Sequence, residues 1–177
     1  MSRKVIIMKF DEESKAYQAF SEIKKLQTQG EVKGEQMAVL KHLPNHQLTP
    51  KDFIDFTGED NNIKGSLIGM LIGILAGPLG VLLGWFTGSL IGSTKDVKEV
   101  KTALSIFEET LKNIPEDETG LILIADEKVT GPIDDLVYGE LKGEVVRIDR
   151  DAVESELLEA EETEKDAANH AKKRWFK

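Results

Sequence analysis

The stretch from Gly65 to Gly92, GSLIGMLIGILAGPLGVLLGWFTGSLIG, runs for 28 residues without Asp, Glu, Lys or Arg, in a chain where 31% of residues are charged. Its glycines stand at Gly65, Gly69, Gly73 and Gly77, then at Gly80, Gly84, Gly88 and Gly92. Every step is four residues except the step of three that crosses Pro78. Glycine costs about 1 kcal/mol relative to alanine at a helical position, so eight of them burden an ordinary helix heavily. A four-residue step, however, puts them on one helical face. There they let a second helix approach to backbone contact, as in GxxxG packing. The stretch therefore predicts a helix-packing surface, and all eight glycines are candidate interface residues.

Turns and flanks decide how such a segment is used. As one helix of 28 residues it would be about 42 Å long, enough to cross a bilayer core of about 30 Å. Gly77-Pro78-Leu79-Gly80 interrupts it, because proline has no N–H for a helix interior and glycine permits reversal. Two limbs, 65–77 and 79–92, result, each only about 20 Å long. Neither spans a bilayer comfortably, so the expectation is a helical hairpin turning at Pro78.

On the N-terminal side, Val5 to Phe10 (VIIMKF) reads as a buried strand. Asp11 is placed as the N-cap of a helix over about Glu12–Gln29, with Ala16, Ala19, Phe20, Ile23 and Leu26 as its apolar stripe and Gly30 as its stop. Val32–Leu40 fits a second strand with a bulge at Gly34. The segment His42–Lys51, with Pro44 and Pro50, reads as a loop, and Phe53–Thr57 as a short third strand.

After the glycine stretch, Asp96–Asn113 predicts an amphipathic helix whose apolar positions Val97, Val100, Leu104, Phe107, Leu111 and Ile114 recur at steps of three and four. That seam fits a helix lying on a sheet better than a two-heptad coiled coil. Leu121–Ala125 (LILIA) is a strand, Gly131-Pro132 starts a short helix with Ile133, Leu136, Val137 and Leu141 inward, Gly143 ends it, and Val145, Val146 and Ile148 form a last strand. Asp151–Asp166 holds eight acids and one lysine, and is expected as a solvated helix or partly disordered segment. The tail Lys172, Lys173, Arg174, Trp175, Phe176 and Lys177 is basic and aromatic. It is a candidate contact with an anionic membrane surface, with favourable charge at a helix C-terminus as the plainer reading.

The fold class expected is α+β: a ferredoxin-like βαββαβ sheet domain, interrupted by the glycine-zipper helical hairpin and followed by a C-terminal acidic helix. Residues 1–62 and 95–150 form the two halves of the α/β domain, 63–94 the hairpin insertion, and 151–177 the acidic helix with its tail. A sheet built from strands on both sides of the insertion makes a single membrane crossing by 65–92 the poorer reading.

The order of these elements, and above all two Gly-rich limbs joined at a Pro-Leu-Gly turn, resembles the bacterial family of domains of unknown function numbered twelve sixty-nine, described as predicted membrane proteins. The resemblance covers roughly residues 4–150. It implies the sheet domain and the hairpin; it implies no activity and no catalytic residue.

Chemistry is sparse. Net charge is −9, all of it after the hairpin, since residues 1–64 carry ten basic and ten acidic side chains. That composition argues against a nucleic-acid partner. Absence of cysteine removes disulfides and thiolate sites and suits a reducing cytoplasm. The first residues lack the apolar core of a secretory signal, so the expected location is cytoplasmic, with association to the inner face of the cell membrane as the variant. His42 and His46 stand four apart in a proline-bearing loop, which does not suit a metal. No phosphate-binding glycine loop and no catalytic motif is present, so no enzyme, cofactor or metal is expected. Two functions remain. One is self-association into a homo-oligomer through the hairpin; the other is insertion of the hairpin into a bilayer, for which Lys64 before it and Lys95, Lys98 and Lys101 after it are suitable flanks.

Overall fold

A computed structural model describes residues 3–44, 47–58, 62–76 and 105–175. The fold is α+β. Five strands, β1 (Arg3–Lys9), β2 (Lys33–His42), β3 (Leu48–Asp55), β4 (Thr119–Asp126) and β5 (Glu144–Asp149), form one sheet in the order β3-β2-β4-β1-β5 with every pairing antiparallel. β1 and β2 therefore run parallel with β4 inserted between them. β4 is the central strand, and its LILIA run is buried throughout because both faces of the sheet are covered.

Alternation divides the strands between two cores. Ile6 and Met8 of β1, Met37 and Val39 of β2, and Leu121 and Leu123 of β4 face one layer. That layer holds α1 (Glu13–Thr28) and α4, a helical turn (Gly131–Asp134) running on as a π-helical turn (Asp135–Glu140). Val5 and Ile7, Ala38 and Leu40, and Ile122 and Ile124 face the other layer. It holds α2 (Leu67–Ala76), α3 (Ser105–Asn113) and α5 (Arg150–Trp175).

Several expectations are corrected. The third strand starts at Leu48 and includes Pro50, so the connection before it is shorter than expected, and the Leu43 N–H donates to the Gln47 carbonyl at 2.7 Å. Pro50 is tolerated because β3 is an edge strand, where one row of amides lacks a ladder partner anyway. Glu12, not Asp11, occupies the N-cap position of α1, and the Asp11 carboxylate accepts from Lys15 Nζ at 2.8 Å. That pair holds Asp11 below the usual carboxylate range, through the lysine hydrogen bond first.

Of the two expectations for the acidic segment the helix is the one observed, and the correction is that it carries a buried stripe. It continues directly from β5 as α5, and Val153, Leu157 and Ala160 are buried against the sheet. Three apolar residues suffice because the anchor is also electrostatic. Arg150 Nη1 meets Glu154 Oε2 at 2.5 Å, and Arg150 Nε lies 3.4 Å from Glu35 Oε2 on β2. Arg3 of β1 holds the other oxygen of Glu35 at 2.6 Å. Further along α5, Glu156 Oε2 accepts the Ile106 N–H at 3.0 Å, satisfying an amide in the first turn of α3.

The bulge at Gly34 is present, with the register shift falling between Gly34 and Gln36. A Cβ there would lie 2.7 Å from the Phe56 ring, so glycine is required for this close approach.

Candidate functional site

The first limb of the glycine stretch begins as a 3₁₀ turn (Ile63–Gly65) and becomes α2 at Leu67. Ser66 joins them: its Oγ donates to the Ile63 carbonyl at 2.6 Å and accepts the Gly69 N–H at 2.9 Å, an N-cap contact. Ile68, Leu71, Ile74 and Leu75 then enter the core beside Phe107, Leu40 and Leu157. Burying four such side chains is worth roughly 6–12 kcal/mol as an upper figure, against about 2 kcal/mol for two glycines inside the helix. Burial wins, so a glycine-bearing helix forms without help from propensity.

The glycines lie on the other side. Gly65, Gly73 and Ala76 are exposed and Gly69 is half-buried. Gly73 has no described atom within 4 Å of where its Cβ would be. Gly69 is different, since a Cβ there would sit 1.7 Å from the Ile63 carbonyl oxygen. The space its missing side chain leaves is filled by the chain's own 3₁₀ turn. Thus α2 has one apolar face committed to the sheet domain and one small-residue face, open from Gly73 to Ala76, turned away from it.

The described helices on either side of residues 77–104 are on the same layer. α2 and α3 both pack in the core that contains Val153 and Leu157 of α5. Gly77, Pro78, Gly80, Gly84, Gly88 and Gly92 lie outside the described residues, as do Val97, Val100, Lys95, Lys98 and Lys101. In the tail, Lys172, Lys173, Arg174 and Trp175 fall in the last turns of α5, and Phe176 lies outside the described residues. No helix among the described residues is long and apolar enough to cross a membrane.

His42 is a buried core histidine at the end of β2. Its Nδ1 lies 2.6 Å from the carbonyl oxygen of Ile114, just past the end of α3, while its own backbone exchanges hydrogen bonds with Asp117 and Glu118. His46 lies outside the described residues. Among the described residues no cluster of three or more His, Asp or Glu is placed to hold a metal.

Sequence reasoning missed a charged cluster on the opposite layer. Arg147 of β5 meets Glu127 with both nitrogens of a fork, Nε to Oε2 at 2.6 Å and Nη2 to Oε1 at 2.7 Å, and Nη2 also meets Asp134 Oδ1 at 2.8 Å. The hydrogen bond to Glu127 is the largest reason the guanidinium is held still more firmly protonated than usual. The Glu127 side chain is only 6% exposed, so the pair fixes the loop between β4 and α4. Beside it is a hollow of about 230 Å³ with Ile6, Val32, Ala125 and Ile133 as floor and Lys33 and Lys128 on its rim. Alternation along β5 places Arg147 with Val145 on the side of α1 and α4, but nothing in the sequence pairs it with residues 20 and 13 positions earlier.

Comparison of the chain with protein-family models, with curated proteins and with solved structures returns no match.

Proposed function

We propose that this chain is a non-enzymatic protein that associates into a homo-oligomer through the glycine-bearing stretch 65–92. One observation carries the reading: α2 commits its Leu/Ile face to its own sheet while Gly73 and Ala76 remain exposed on the opposite side. An uncharged stretch of this length needs cover, and the partner always at hand is a second copy. The split order β5-β1-β4-β2, with β3 as an added edge strand, supports a ferredoxin-like reading of the domain that carries the stretch. The likeness to the family of unknown function numbered twelve sixty-nine belongs to the same proposal, as does a cytoplasmic location.

Insertion of the stretch into lipid is the second reading, favoured by the lysines on both flanks. For residues 67–76 it requires Ile68, Leu71, Ile74 and Leu75 to leave the core, exposing the sheet face they cover. This cost places self-association first. The test is the particle mass in detergent-free buffer together with membrane fractionation. A defined oligomer in the soluble fraction is expected, and replacement of Gly73 and Gly84 by Leu is expected to disrupt it. Monomers at all concentrations, or quantitative recovery in carbonate-resistant membranes, overturn the proposal.

A further inference from the structure

The layer opposite α2 has an opening of its own. Between the α1–β2 and β4–α4 connections lies the hollow of about 230 Å³ floored by Ile6, Val32, Ala125 and Ile133, all of them members of the core under α1 and α4. Two features keep it open. Gly30 follows α1 at a φ of 78° and has no described atom within 4 Å of where a Cβ would stand, so no side chain fills that wall. On the other wall, the fork from Arg147 to Glu127 pins the loop after β4. Val129 lines the mouth and is 68% exposed, an apolar side chain left largely to water.

Charge selects the occupant. The ionisable residues lining the hollow are Glu31, Lys33, Asp126, Glu127 and Lys128. Glu127 gives both carboxylate oxygens to Arg147, and Asp126 is likewise engaged. Lys33 and Lys128 are exposed, and among the described residues neither meets a carboxylate. Glu31 opposes them with one exposed carboxylate. The mouth therefore offers two ammonium groups against one acid, above an aliphatic floor. We propose that this hollow binds a short aliphatic carboxylate, with its chain on Ile6, Val32, Ala125 and Ile133 and its head toward Lys33 and Lys128. The chain is short because the volume lies below the roughly 300–1,000 Å³ of sites for drug-sized ligands. Burial of that chain, with cover for Val129, supplies most of the affinity, while the exposed lysines select an anion, each pair contributing little by itself. The site lies across the sheet from the glycine stretch and goes beyond the reading of that stretch.

Hexanoate is the probe, titrated into the full chain with the methyl groups of Ile6, Val32, Ala125 and Ile133 followed by NMR. Saturable shifts at these methyls are expected, with a Kd of roughly millimolar order for so small a ligand. Lys33→Gln with Lys128→Gln changes only exposed side chains, so the fold is expected to persist by circular dichroism while hexanoate binding weakens about three- to tenfold. 1-Hexanol, which has the chain without the charge, is expected to bind the parent more weakly than hexanoate does, and equally in parent and variant. Leucine separates two sources of the same chemistry: tighter binding than hexanoate that is lost in Glu31→Gln makes the carboxylate an amino acid, and weaker binding makes it a simple acid. Shifts confined to Ile68, Leu71 and Ile74 on the other layer, hexanol binding as tightly as hexanoate, or undiminished hexanoate binding in the folded double variant overturns the proposal. Light scattering on the same samples reports association separately, so a monomer that binds hexanoate removes the proposed function and leaves this site standing.

Discussion

Replacing Gly69 by Ala separates the geometry of this helix from its propensity. Propensity alone has alanine stabilising an interior helical position by about 1 kcal/mol. The structure places the new Cβ 1.7 Å from the Ile63 carbonyl oxygen and 2.7 Å from its carbon, so the 3₁₀ turn must withdraw by more than an ångström. That movement strains the two hydrogen bonds this carbonyl accepts, from Ser66 N–H at 3.1 Å and Ser66 Oγ at 2.6 Å. Overpacking against backbone costs about 1–3 kcal/mol, and each weakened hydrogen bond up to about 1 kcal/mol. Against the propensity gain, the net is a loss of about 2 kcal/mol. The assay is urea unfolding followed by circular dichroism at one fixed protein concentration, since association shifts apparent stability. A lower midpoint with an unchanged slope is expected. Gly73→Ala is the control: no described atom lies within 4 Å of that Cβ, so this change is expected to be neutral or to stabilise by up to about 1 kcal/mol. A Gly69→Ala protein as stable as the parent, or more so, refutes the account of why this glycine is needed.

Other perturbations test the layers around it. Leu71→Ala truncates a buried side chain of α2 and is expected to cost about 2–5 kcal/mol in the same assay; a loss under 1 kcal/mol would mean that α2 does not belong to the core. Arg147→Met leaves the nearly buried Glu127 carboxylate without its fork and is expected to cost about 2–4 kcal/mol. Adding Glu127→Gln should recover part of that loss, and strict additivity of the two changes would dissolve the pair. His42→Ala removes the contact with the Ile114 carbonyl and is expected to cost about 1–3 kcal/mol. For the unmodified protein, a chelator is expected to leave the melting temperature unchanged, and a drop would reinstate the histidines as metal ligands.

Much of the scaffold was legible because burial and periodicity are local signals. VIIM and LILIA alternate between two cores, and the α1 residues Ala16, Ala19, Phe20 and Ile23 form the buried stripe their spacing predicts. Gly30 ends α1 with a positive φ of 78°. What escaped were features that depend on position in the sheet. Pro50 reads as a loop residue until β3 is known to be an edge. Val153, Leu157 and Ala160 look too few to anchor a helix until Arg150 is found between Glu154 and Glu35, the latter more than a hundred residues earlier. The Arg147–Glu127–Asp134 cluster likewise joins residues that only the β4–α4–β5 geometry brings together.

The glycine stretch shows the same division. By itself the sequence determined that the segment is uncharged, that its glycines recur at a four-residue period, and that one proline stands at its middle, since charge, spacing and composition are properties of the chain. Tertiary structure alone decided which face of the first limb is spent. Its Leu and Ile side chains cover the sheet because burying them outweighs the glycine penalty several-fold, and Gly69 is a glycine because a carbonyl six residues earlier lies where its side chain would be.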